Sequence, residues 1–168
     1  MAQAGNLYSI ASSSTFDFLG DAAQNAALTW RPALPAALGG RSRFRSLTLQ
    51  SIQNLDWEVL VFKTSNTFNI PPGGTVDQVH LAGKYRFYAA DGVQIAGAGR
   101  YYYYIDGLDW AYHDLDSANA QLQPVADGPK VALAPYLNLV VVNRSVTSKI
   151  AGALGMLQLR AALEATNA

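Results

Sequence analysis

A chain of 168 residues without cysteine excludes disulfide staples and thiolate metal sites, yet it is long enough to bury roughly 70% of its unfolded surface as one domain. Basic and acidic side chains number 12 each, and the resulting net charge of +0 argues against nucleic-acid binding, whose affinity comes largely from neutralising phosphates. Charged residues make up only 14% of the chain, against roughly 25% in an average soluble domain, which leaves more surface suited to being covered by another chain.

No apolar run approaches the ~20 residues that cross a bilayer, and Met1 to Ile10 lacks the basic and apolar regions of a secretory signal. The expectation is a soluble protein without a membrane partner. Residues 1–40 stand apart: they carry only Asp17, Asp21 and Arg31 as charges, much alanine and a Ser12 to Thr15 cluster. They read as an N-terminal arm lying on the body or on a neighbour, whose first 30 residues can be deleted without loss of the β fold. Asp21 is placed to cap a short helix over Ala22 to Leu28, ended by Arg31-Pro32.

From Arg43 the apolar period becomes two, and residues 41–168 are assigned to a single β-sandwich domain. Phe44 to Ile52 and Trp57 to Lys63, separated by Asn54-Leu55-Asp56, look like a hairpin. Pro71-Pro72-Gly73-Gly74 is the strongest loop signal. Lys84 to Tyr88 reads as a strand, with Val93 to Ile95 returning against it across Asp91-Gly92. Tyr101 to Ile105 is a further strand, with Leu108 to His113 returning antiparallel, followed by a polar loop from Asp114 to Gly128. Pro135 to Val142 is the most β-prone run. Residues 155–165 allow a helix, but Gly152 and Gly155 weaken it, so a strand with Leu157, Leu159, Ala161 and Leu163 inward is preferred. The total is about eight strands with no helix long enough for a parallel crossover: an all-β, antiparallel β-sandwich or jelly roll, with a small barrel as the open alternative.

The chemistry-bearing residues are sparse. His80 and His113 are the two histidines, and no Gly-x-Ser-x-Gly elbow or cysteine supplies a nucleophile beside them. Asp106, Asp109, Asp114 and Asp116 cluster around His113, but their spacing is not that of a calcium loop, and solvated turn carboxylates are the preferred reading. Arg41, Arg43 and Arg45 alternate as one face of a strand, read as solvated and not as a phosphate patch. Gly97-Ala98-Gly99 lacks the third glycine of a phosphate cradle, and Asn143-Arg144-Ser145 reads as a turn. The expectation is a non-enzyme without cofactor or metal.

The unusual feature is aromatic. Alternation puts two of Tyr101 to Tyr104 on each sheet face, so one face presents phenols outside the core. Tyr101, Tyr103, Trp110, Tyr112 and Trp30 are the candidate protein-interface residues, because tyrosine and tryptophan combine contact area with a hydrogen-bonding tip. Cross-strand packing inside the monomer is the competing explanation. An alternative function is a carbohydrate-binding or host-attachment module stacking sugars on Tyr103, Trp110 and Tyr112.

Trp30 to Pro35, Arg45 to Leu49 with Asn54 to Glu58, Tyr101 to Leu108 and Leu139 to Ser145, in that order, resemble small virion proteins of tailed bacteriophages. More narrowly the chain is similar to the jelly-roll cement or decoration proteins that clamp capsid subunits; the likeness lies in style and strand order and has no diagnostic motif. That resemblance implies a non-enzymatic protein of the capsid surface, assembled in the host cytoplasm. It implies binding to the major capsid protein, self-association into homo-oligomers on the shell, and no cofactor.

Overall fold

The computed structural model describes residues 7–11, 27–34, 41–64, 80–97, 99–114, 136–145 and 157–165. Ten strands are formed in them: β1 (Leu7–Ala11), β2 (Ala27–Trp30), β3 (Arg41–Ser51), β4 (Trp57–Phe62), β5 (Leu81–Phe87), β6 (Val93–Gln94), β7 (Tyr101–Ile105), β8 (Trp110–His113), β9 (Asn138–Asn143) and β10 (Leu157–Ala165). Sheet A has the order β1-β10-β3-β7-β6, with β8 also on β3, and sheet B the order β2-β9-β4-β5. All the strand pairs are antiparallel.

The order has a simple generator. Strands pair as one long ribbon, β1 with β10, β2 with β9, β3 with β7 and β8, and, at its turn, the successive strands β4 and β5. Rolling that ribbon brings β10 onto β3 and β9 onto β4, which closes the two sheets of a jelly roll. Inward residues alternate with outward ones in β10, where Leu157, Leu159, Ala161 and Leu163 are buried and Arg160 is exposed, as the sequence pattern requires. Trp57, Val59, Val61, Leu137, Leu139 and Val141 of sheet B meet Phe44, Leu47, Leu49, Tyr103 and Tyr112 of sheet A in the core. The opposite faces of β4 and β9 are apolar too, and Leu60, Phe62, Val140 and Val142 form a second buried cluster there.

The expected arm lies on the body in its described parts, as β1 on the edge of sheet A and β2 on the edge of sheet B. Ala27 and Leu28, expected at the end of a helix, belong to β2; the rest of that expected helix and the 71–74 loop fall outside the described residues.

Three local pairings are corrected. β3 and β4 do not form a hairpin, because Ile52 to Asp56 carries the chain from sheet A to sheet B. Val93-Gln94 pairs not with β5 but with Tyr102 and Tyr101 of β7. A 3₁₀ turn, Ala89–Asp91, makes that crossing, held by the Asp56 carboxylate on the Ala89 N–H (2.8 Å). Finally, β7 and β8 are not partners of each other. Both run antiparallel to β3, with Ile105 opposite Leu47 and Trp110 opposite Phe44, so they form one long strand interrupted by Asp106 to Asp109. The interruption is anchored by the Leu108 N–H on the Arg45 carbonyl (3.1 Å), and Gly107 takes φ +66°, a region that side chains disfavour.

Candidate interaction face

The side chains of β7 divide by parity. Tyr101 and Tyr103 point to the core and Tyr102 and Tyr104 to the outer surface of sheet A, because inward Leu47 and Leu49 of β3 pair with Ile105 and Tyr103. Tyr103 is 0% exposed; its hydroxyl donates to Asn54 Oδ1 (2.8 Å) and accepts from the Leu55 N–H (3.0 Å). Burial of the phenol pushes its pKa up to about 12, against the Leu55 hydrogen bond, which lowers it.

Of the expected interface residues, Tyr103 and Tyr112 are therefore corrected to core. Tyr112 is 2% exposed, stacks edge-on against Phe44, donates to the Tyr136 carbonyl and accepts from Asn138. Trp110, Tyr101 and Trp30 are half-buried and packed against the same core. A stacking platform of Tyr103, Trp110 and Tyr112 is consequently closed to a sugar: two of its three rings have no open face.

Among the described residues, the exposed large apolar side chains are Tyr104 (61%), Val93 (64%), Ile95 and Tyr88. The register assembles the first two into a surface. One row across sheet A reads Val93, Tyr102, Gln50, Gln158, and the next reads Tyr104, Thr48, Arg160. At about 4.8 Å between strands and 3.4 Å per residue, the two rows cover roughly 14 by 7 Å. The signal for these residues was present in the four tyrosines, but the parity could not be chosen without knowing that Leu49 faces Tyr103.

Farther along the same sheet the charges are matched. Asp109 accepts from Arg43 (2.7 Å) and Arg45 (2.9 Å), and Arg45 also pairs with Glu164. The Arg43 hydrogen bond, helped by the charges of both arginines, holds the Asp109 carboxyl below the usual carboxylate range. Arg43 and Arg45 are thus occupied within the chain, and the side chain of Arg41 lies outside the described residues.

The acid cluster around His113 is dispersed. Asp106 is exposed, Asp109 lies with the arginines, and Asp114 is buried, accepting from the Tyr136 N–H (2.8 Å) and Asn138 Nδ2 (3.2 Å); Asp116 falls outside the described residues. Among the described residues, no three His, Asp or Glu side chains are grouped to hold a metal ion. His80 precedes β5, where its carbonyl accepts from the Lys63 N–H (2.8 Å). Asn143 to Ser145 is a turn, closed by the Ser145 N–H on Asn143 Oδ1 (2.9 Å).

Comparison with known protein families, with curated proteins and with solved structures finds no match for this chain.

Proposed function

We propose that this chain is a non-enzymatic virion structural protein: a cement or decoration protein on the capsid surface that binds the major capsid protein in many copies and self-associates on the shell. One observation carries the reading. The jelly roll keeps two of its four consecutive phenols outside the core, on a sheet face with Val93, Gln50 and Gln158, which is a surface suited to contact with another protein. The patch is far smaller than the ~800 Å² per partner of a stable interface. Repetition over a lattice multiplies contacts that are individually modest, so a patch of this size suits a many-copy protein.

The test is quantitative mass spectrometry of particles purified from an infected host culture. The expected result is this chain at a fixed stoichiometry to the major capsid protein, retained through gradient purification. Its absence from purified particles would remove the proposal. A glycan array run on the same protein separates the host-attachment alternative, which requires specific glycan binding lost on Tyr104→Ala.

A further inference from the structure

We infer that Asp106 is a site of spontaneous isoaspartate formation, a covalent modification that the fold permits at Asp106-Gly107 and suppresses at Asp91-Gly92. The chemistry is local to the two turns and does not depend on the proposed capsid role.

The sequence contains the Asp-Gly steps Asp91-Gly92, Asp106-Gly107 and Asp127-Gly128, the last of them outside the described residues. Such a step is reactive because glycine has no Cβ to keep its amide nitrogen away from the preceding side chain. The nitrogen attacks the side-chain carboxyl carbon. A C–N bond forms, a five-membered succinimide closes, and the carboxyl OH leaves with the amide hydrogen as water. One water then adds back across either imide C–N bond. Opening at the side-chain carbonyl restores aspartate. Opening at the main-chain carbonyl gives isoaspartate, whose backbone runs through Cβ and whose free carboxylate is the former main-chain group. No oxidant, reductant or cofactor enters, and the mass is unchanged.

Ring closure needs a side chain free to turn, an amide not engaged elsewhere, and room for the ring. Asp91-Gly92 has none of these. The Asp91 carboxylate accepts from the Tyr88 N–H (3.2 Å), and the Gly92 N–H donates to the Ala89 carbonyl (3.2 Å). A Cβ on Gly92 would lie 2.6 Å from Asn54 Oδ1 and 3.0 Å from the Tyr103 ring, so the space beside it is filled. Asp56, bound to the Ala89 N–H, keeps that turn closed. Asp106-Gly107 is the reverse on each count. Both residues are exposed, and among the described residues no hydrogen bond or ion pair holds the Asp106 carboxylate or the Gly107 N–H. A Cβ on Gly107 would meet nothing within 4 Å. The segment also has length to spare, since Asp106 to Asp109 stand opposite only Arg45 and Ser46 of β3. The extra backbone carbon falls before the Leu108 N–H, anchored on the Arg45 carbonyl, so β7 and β8 keep their partners on β3.

Ageing of the purified full chain tests the site. The protein is held at neutral pH and physiological temperature for several weeks, in buffer and, in parallel, in concentrated urea. Chymotryptic peptides carrying Asp91 and Asp106 are then separated by chromatography, and electron-transfer fragmentation tells isoaspartate from aspartate at each position. In buffer, isoaspartate at Asp106 should accumulate about tenfold faster than at Asp91, where two hydrogen bonds must open first. In urea the two rates should converge, because the Asp-Gly step is the same and the fold no longer discriminates. D106E, whose carboxyl could close only a six-membered ring, should show no conversion at that position. Conversion at Asp91 as fast as at Asp106 in buffer, or none at Asp106, would overturn the inference. So would an undiminished preference in urea, which would make the difference a property of the sequence and not of the fold. Equal conversion in D106E would overturn it as well, by placing the signal elsewhere.

Discussion

Tyr103 carries two jobs in one hydroxyl, satisfying the buried Leu55 N–H and Asn54 Oδ1 at the junction between β3 and β4. Tyr103→Phe leaves that N–H without a partner, at a cost of about 1–3 kcal/mol, read as a lower midpoint in urea. The same variant changes the alkaline limb. The folded phenol is raised to about 12 from 10.0, so between those values the folded chain holds a proton that the unfolded chain has lost. Its contribution to stability is complete below pH 10.0 and falls as pH rises through about 12, and Tyr103→Phe should flatten this slope by one proton. Asp56 works at the opposite limb. The Ala89 N–H and, after it, Arg86 hold its carboxyl below 3.8, so its stabilisation is present above 3.8 and lost as pH falls through the lower folded value. Asp56→Asn should lower the melting temperature at neutral pH and make the acid limb less steep; an acid limb identical to that of the unsubstituted chain would contradict the assignment.

Among the elements, the corner where β5 meets β8 depends on a missing side chain. A Cβ at Gly83 would collide with the Trp110 indole, which is packed against Phe44 at 6.1 Å between ring centroids. Gly83→Ala should therefore cost about 1–3 kcal/mol by overpacking, whereas Ala111→Ser, on the exposed face of β8, should be nearly neutral. Equal midpoints in urea would show that the indole can move aside. The same elements mark how far the sequence could be read. Strand β9 was legible from its run of valines, and β10 was preferred over a helix because its leucines alternate and Gly152 and Gly155 precede it. Partners were not. Period-two patterning says which side chains go inward, and both Leu49 and Val59 do, but it does not say whether two successive strands lie in one sheet or face each other across the core. None of the expected hairpins forms: β3 pairs with β10, β7 and β8, β4 with β5 and β9, and β6 with β7. Alternation could not say which pair of the four tyrosines faces inward; the pairing of Leu49 with Tyr103 does, and leaves Tyr102 and Tyr104 on the outer face.

For the whole molecule, the closing strands come from opposite ends of the chain. Five residues of β1 cover β10, and four of β2 cover β9, so the first 30 residues include one strand of each sheet. Their deletion should not leave an intact body, as an arm would. It exposes the edges of β10 and β9, and the expected outcome is a chain that melts earlier and aggregates through those edges, seen by light scattering during a thermal ramp. A truncated chain as soluble and heat-resistant as the full one would contradict the pairing. The outer face of sheet A should behave differently: Tyr104 and Arg160 are exposed there, so Tyr104→Ala and Arg160→Gln should leave the melting temperature within a few degrees.

Under the proposed role this sheet face, and not a cleft, makes the working contact. A cryo-electron-microscopy map of purified particles tests that most directly. The expected map has the jelly roll on the shell with Tyr102 and Tyr104 in contact with the capsid subunit. A map in which these side chains face solvent while another surface makes the contact would contradict it.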